Sequence, residues 1–425
     1  MLSTLALLLA WLPSVQEPEA GFDLESLKRK VEEITPIVAE LRGWEFKHGV
    51  KAGVHTPEQF LVYAKKEFEE EYGLEQFRAT GRAYGLIGLV PVDLDLFQAF
   101  MDLLRSQVGG YYDPKSDTFY MISTFNQGGL ADIIMAHELT HALDDQYFHL
   151  DKMMSSVQGN ADAEFAVRAV VEGSGTSLMN LYTQEGMMKG FLQLDMAQMT
   201  EMMAEQAEML NAMPPYLVMT LALPYLEGNK FLVQESNALM AATKAPSDEE
   251  LKRAFQNPPL SSEQVLHFEK YWDPKKRDDP TVIKLPDFSK DLGEGWKLVD
   301  ENVLGELGCY CLTEENLPNM ANQTAQLTAK WTNAAATGWD GDLYQYYQGP
   351  GNAGLVVSAS VWDSVKDAQE FSGAVVQILQ KRNPALREIH LSRGNAALLF
   401  FANDQGSAKK DVLKKAVLDA RPDWR

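Results

Sequence analysis

The stretch that decides the reading is Ile133-Ile134-Met135-Ala136-His137-Glu138-Leu139-Thr140-His141-Ala142-Leu143. It contains no Gly or Pro and is apolar on both flanks, so it reads as a buried helix. Positions i and i+4 share one helix face, so His137 and His141 can reach a single ion. Glu138 sits one residue after the first histidine, close enough to act on a water without ligating the metal. Neutral imidazoles are good zinc ligands, and a catalytic zinc site typically keeps three protein ligands plus an open position. The spacing therefore predicts Zn2+ held by His137 and His141, with Glu138 as general base. The bland alternative, two surface histidines and a solvated glutamate, fits poorly with such apolar flanks.

A third ligand is expected downstream, on an element that packs against this helix. Glu164 and Glu172 both qualify, on a predicted helix from Asp162 to Leu181. Glu172 follows the apolar run Ala169-Val170-Val171 and precedes Gly173-Ser174-Gly175, small residues that allow another backbone to approach. A carboxylate in such a run is costly to bury unless it meets a cation. Glu172 is thus the expected ligand, with Glu164 paired to Arg168. Asp144 and Asp145 follow His141 by three and four residues, and either can accept a hydrogen bond that fixes an imidazole tautomer. Asp145 lies on the His137–His141 stripe and is the preferred candidate.

Around this motif the chain has 425 residues, 38 basic against 60 acidic, for a net charge of −22. That balance argues against nucleic acid and anionic membranes as partners, because phosphate binding needs clustered Lys and Arg. Cys309 and Cys311 are the only cysteines, so no disulfide framework exists. The apolar run Leu2–Leu12 is too short to span a bilayer, so no stable membrane span is expected. It suits the core of a secretory signal over residues 1–16, although it lacks a basic start. Export is the expectation. Ten of eighteen methionines fall between Met179 and Met219 at helical spacing, which reads as adaptable core. Val108–Ser123 reads as an aromatic hairpin, and Asp273–Asp291 is rich in breakers and places the main domain boundary. Beyond it, alternating strands and helices predict a small α+β domain.

The pattern His137-Glu138-x-x-His141 with Glu172 thirty-one residues on resembles the gluzincin group of zinc metallopeptidases. In finer texture the chain resembles an uncharacterised branch of exported prokaryotic zincin-like proteins. The matching pieces are Gly109–Pro114, Ala136–Leu143, Arg168–Gly173, Pro258–His267 and Gly338–Asp342. The resemblance implies an α+β fold in which residues 36–285 form a zincin-like metallopeptidase domain with a helical, Met-rich extension. Residues 17–35 would be a linker and helix, and 290–425 the small C-terminal α+β domain. It also implies an edge strand that aligns a peptide or protein substrate, expected at Phe119–Ser123. One departure is Thr176, where the family often has an acidic residue supporting a ligand histidine. The second shell must come from elsewhere, hence Asp145. As oxyanion donor the sequence nominates His267, with Tyr271 a turn further on; His48, His55, His149 and His390 read as structural. The expected activity is zinc-dependent peptide hydrolysis. The alternatives are a zinc hydrolase of another amide, or an inactive zincin fold that binds peptides or partners.

Overall fold

The computed structural model describes residues 22–107, 109–125, 127–382 and 387–420, so the expected signal segment lies outside the described residues. The chain is α+β, with helices around two separate sheets. Among the described residues no helix is long and apolar enough to cross a membrane.

The first helix, Leu24–Arg42, starts at Asp23, whose side chain accepts the Ser26 amide at 2.7 Å, and ends at Gly43 with φ 74°. Leu27, Val31, Ile34 and Val38 recur every three or four residues and form its buried stripe. The expected division at 35/36 therefore falls inside a helix. Pro36 breaks the propensity pattern but not the helix, because the stripe continues past it to Val38. This helix belongs to the same core as the metal motif, with Ile134, Met135, Leu139 and Leu143.

A three-stranded sheet follows, built from β1 (Lys51–His55), β2 (Gly110–Asp113) and β3 (Thr118–Ile122) in the order β1-β3-β2. β2 and β3 form the expected hairpin, pairing Gly110 with Met121 and Asp113 with Thr118. Asp113 closes the turn by accepting the Lys115 amide and the Ser116 hydroxyl. β1 runs parallel to β3. The strand expected at the edge, Phe119–Ser123, is thus central, because β1 takes its other side. The outer strand facing the motif helix is β2.

The motif helix, Gly129–Phe148, is buried on nearly every face from Ala131 to Asp144, as its lack of amphipathic pattern demands. Beside it runs the long glutamate helix, Ala161–Lys189, with Asn160 as N-cap and Gly190 at φ 79° as C-cap. A third helix, Pro215–Val233, packs on the glutamate helix through glycines. A Cβ on Gly173 would lie 2.3 Å from the Gly228 carbonyl carbon, and one on Gly228 would lie 2.0 Å from the Ala169 oxygen. Only glycine permits that approach. Pro224 sits inside this third helix and has no N–H to give the Thr220 carbonyl four residues back. The buried Arg168 guanidinium of the glutamate helix donates to that freed carbonyl.

The second sheet is antiparallel, from β4 (Lys297–Asn302), β5 (Trp339–Gln348), β6 (Gly354–Trp362), β7 (Arg387–Arg393) and β8 (Ala396–Ala402), in the order β4-β5-β6-β8-β7. Alternate residues serve two cores. Tyr344, Tyr346, Val356, Leu399 and Phe401 pack with helices Leu74–Ile87 and Val365–Arg382 in the main core. Leu343, Tyr347, Leu355, Val357 and Phe400 pack with helix Lys410–Ala420 on the other face. The breaker-rich stretch before β4 is a connection, yet the hydrophobic core runs across it. Two sequence pieces of unassigned role explain part of this joint. Asp342 accepts the Leu304 and Gly305 amides at the start of helix Gly305–Thr313, each at 2.9 Å, and the Ser262 hydroxyl accepts Leu307 N. Asp162, near the start of the glutamate helix, accepts Ser262 N at 2.9 Å.

The Met-rich segment is helical, Met196–Ala212, but much of it is not core. Within it Met196 is 66% exposed; at the end of the glutamate helix Met187 and Met188 are 61 and 87% exposed, whereas Met219 on the third helix is buried.

Candidate metal centre

Three side chains converge between the motif helix and the glutamate helix. His137 Nε2 lies 3.2 Å from Glu172 Oε2, His141 Nε2 lies 3.5 Å from the same oxygen, and the two Nε2 atoms are 3.0 Å apart. A tetrahedral zinc ion with bonds of about 2.0–2.2 Å needs ligand atoms roughly 3.3–3.6 Å apart. The observed triangle is within a few tenths of an ångström of that requirement. His137, Glu138 and His141 also offer ligand atoms within 4.8 Å of one another, and the group can hold a metal ion. The expected site residues His137, Glu138, His141 and Glu172 are therefore together, and each is no more than 3% exposed.

Small residues make the geometry possible. A Cβ on Gly175 would come within 2.6 Å of His137 Cε1, so this glycine gives the imidazole its room. Glu138 Oε2 accepts the Tyr112 amide of β2 at 2.9 Å, which fixes its side chain under the outer strand. Burial, reinforced by the Glu172 charge, pushes Glu138 up to about 8, against opposing pulls from His141 and the Tyr112 amide. Burial also opposes ionisation of Glu172, but the two imidazoles outweigh it and hold this carboxylate at about 2. Burial lowers His137, with the His141 charge adding to it; the Glu172 partner raises His141 despite its burial. The site therefore combines a firmly anionic carboxylate, Glu172, with a second, Glu138, that burial keeps reluctant to ionise.

Two expected residues lie elsewhere. Asp145 does not reach a ligand histidine: its Oδ2 accepts the Tyr112 hydroxyl at 2.7 Å and its Oδ1 the Leu150 amide at 2.7 Å. At the end of the motif helix it turns forward to satisfy the next segment. His267 is also absent from the site, its Nε2 lying 3.0 Å from Glu306 Oε1. Its short helix, Ser262–Leu266, packs near Asp162, ten residues and about 15 Å of helix rise before Glu172. Tyr271 is buried, with its hydroxyl on the Asn257 carbonyl at 2.7 Å. Glu164 accepts the Gly159 amide at 2.9 Å.

Tyr225, not His267, lies against the cluster. It lies on the third helix, one residue after Pro224, with its ring stacked on His137 at 5.7 Å between centroids. Its hydroxyl bonds the Glu172 carboxylate, and burial together with the Glu172 and Glu138 charges keeps it protonated. No local pattern in the sequence marks it, because the contact depends on glycine-mediated packing of two helices. Asp144, the aspartate passed over, is buried beside His141 with Arg42 and Ser174 as partners.

Residues 296–400, which contain most of the second sheet, match a family described as a domain of unknown function, DUF8575. No curated protein and no solved structure matches the chain. The helices that carry His137, His141 and Glu172 lie outside the matched region.

Proposed function

We propose that this chain is a zinc-dependent metallopeptidase of zincin-like architecture, exported, acting on a peptide or protein substrate. The observation that carries the reading is the triangle of His137, His141 and Glu172 with Glu138 beside it. His137, His141 and Glu172 would hold the zinc, which would supply Lewis acidity for a water and a scissile carbonyl. Glu138 takes the proton of the attacking water and delivers it to the leaving amine. The Tyr225 hydroxyl donates a hydrogen bond to the developing oxyanion, displacing its present bond to Glu172. The Tyr112 N–H, on the side of β2 away from β3, donates to Glu138, so the outer edge of β2 runs beside the proposed base. A peptide lying along that edge gains main-chain hydrogen bonds, and its carbonyls pass the site in register.

A general base distinguishes this reading from an inactive peptide binder. A ligand set without turnover has no use for a carboxylate held at the position of Glu138. Hydrolysis of another amide uses the same residues and is separated by substrate. The test is the Glu138→Gln variant of the zinc-loaded chain, assayed on a denatured protein mixture. Cleavage should fall by at least 100-fold, the range general-base catalysis supplies, while zinc content stays the same. Unchanged cleavage overturns the assignment.

A further inference from the structure

We infer that Asp144 is the positioning residue that fixes the tautomer of His141, and that Arg42 and Ser174 hold Asp144 for this task. The inference rests on the reading of His141 as a zinc ligand and adds the part of the site that its three ligands leave unexplained. A histidine that ligates through Nε2 must carry its proton on Nδ1, and that N–H needs an acceptor. In this structure His141 Nδ1 is buried and has no hydrogen-bond partner. Asp144 Oδ1, three residues further along the same helix, is likewise buried without a partner. Residues at this spacing are neighbours on the helix surface. Each side chain acts electrostatically on the other.

The second oxygen of Asp144 is fully engaged. Oδ2 accepts the Ser174 hydroxyl at 2.5 Å and the Arg42 Nη2 at 3.1 Å, and that same nitrogen lies 2.6 Å from Ser174 Oγ. Arg42 and Asp144 are 3% and 0% exposed, so this ion pair is screened from solvent. A buried charge pair is retained at a desolvation cost, and here it leaves one carboxylate oxygen without a partner three residues along the helix from a histidine whose Nδ1 also has none. Asp145 is directed elsewhere, its two oxygens accepting from the Tyr112 hydroxyl and the Leu150 amide. The network also joins three helices: Arg42 ends the first, Asp144 lies on the motif helix, and Ser174 follows Glu172 by two residues. Fastening Asp144 therefore also fastens the two helices that bring the ligands together.

The experiment measures zinc affinity of the full chain by competition with a chromogenic chelator, alongside imidazole ¹⁵N shifts of His141. The wild type should bind one zinc with His141 protonated at Nδ1. Asp144→Asn should bind zinc 10–100-fold more weakly, the loss typical when a ligand's hydrogen-bond partner is removed. Asp145→Asn should bind as the wild type does. Because Asp144→Asn strands the Arg42 cation, the Arg42→Met/Asp144→Asn double variant provides a folded comparison and should remain equally weak. Wild-type affinity in either Asp144 variant overturns the inference while leaving the zinc reading intact. A wild-type chain that takes up no zinc overturns the zinc reading and this inference with it.

Discussion

Replacing Gly175 by alanine adds one methyl group at the point where the glutamate helix meets the His137 ring. That methyl would lie 2.6 Å from Cε1 and 2.9 Å from each ring nitrogen. Carbon atoms are comfortable at about 3.5–4.0 Å, so the imidazole must retreat by roughly 1 Å. Its Nε2 now stands 3.0 Å from His141 Nε2 and 3.2 Å from Glu172 Oε2. A retreat of that size is half the length of a zinc–nitrogen bond of about 2.0–2.1 Å, and the three donors no longer fit one tetrahedron. Zinc affinity should fall about 10–100-fold, comparable to losing a partner of a ligand. Stability of the metal-free chain should change little. Overpacking costs about 1–3 kcal/mol, but alanine in a helix interior recovers about 1 kcal/mol over glycine. Gly173→Ala is the contrast, because its methyl meets the Gly228 backbone at 2.3 Å and no side chain can swing aside. It should lower the thermal midpoint strongly with or without zinc. Chelator competition and thermal unfolding of both variants make the measurement. A Gly175→Ala chain with wild-type zinc affinity refutes the argument that this glycine makes room for a ligand.

Tyr225→Phe should lower kcat by about 10²-fold or more with zinc content unchanged, as loss of one oxyanion donor does; steady-state kinetics at saturating peptide decide it. Zinc at 1,000 times its Kd should stabilise the wild type by about 4 kcal/mol, and Glu172→Gln should erase most of that gain in a thermal melt. Burial, with the Asp342 and Glu306 charges adding to it, raises Asp162 from 3.8 to about 7. The folded state thus favours its neutral form, and this contribution is full below about pH 4 and lost as pH rises through 7. Asp162→Asn keeps an oxygen for Ser262 N, so its thermal midpoint should exceed the wild type at pH 8 and match it near pH 4. An equal shift at both pH values would argue against ionisation as the cause.

The motif helix was legible because its chemistry and its burial share one short stretch of sequence. Glu172 was legible for a related reason: a carboxylate inside an apolar run needs polar partners, here His137 and His141, and the small residues after it let a helix come close. Residues whose partners come from distant segments were not. The choice between Asp144 and Asp145 depends on Arg42 and Ser174, about a hundred residues before and thirty after. Helical spacing alone pointed to Asp145, whose oxygens the structure turns to Tyr112 and Leu150. β4 is hard to read from sequence because its buried Asp300 looks like a surface residue until Tyr344 and Gln76 are seen to bind it. The first helix was cut short at Pro36, whose local penalty is overcome by tertiary packing. His267 sits in a distinctive piece of sequence, and the structure explains that piece as part of the joint to the second sheet.

The proline inside the third helix carries a mechanical consequence. Because Pro224 leaves Thr220 without its usual donor, the Arg168 guanidinium is seated on the backbone of the very helix that carries Tyr225. Sliding that helix would unseat a buried cation one turn from Glu172. The seating of the third helix and the charge beside Glu172 are thereby geared together.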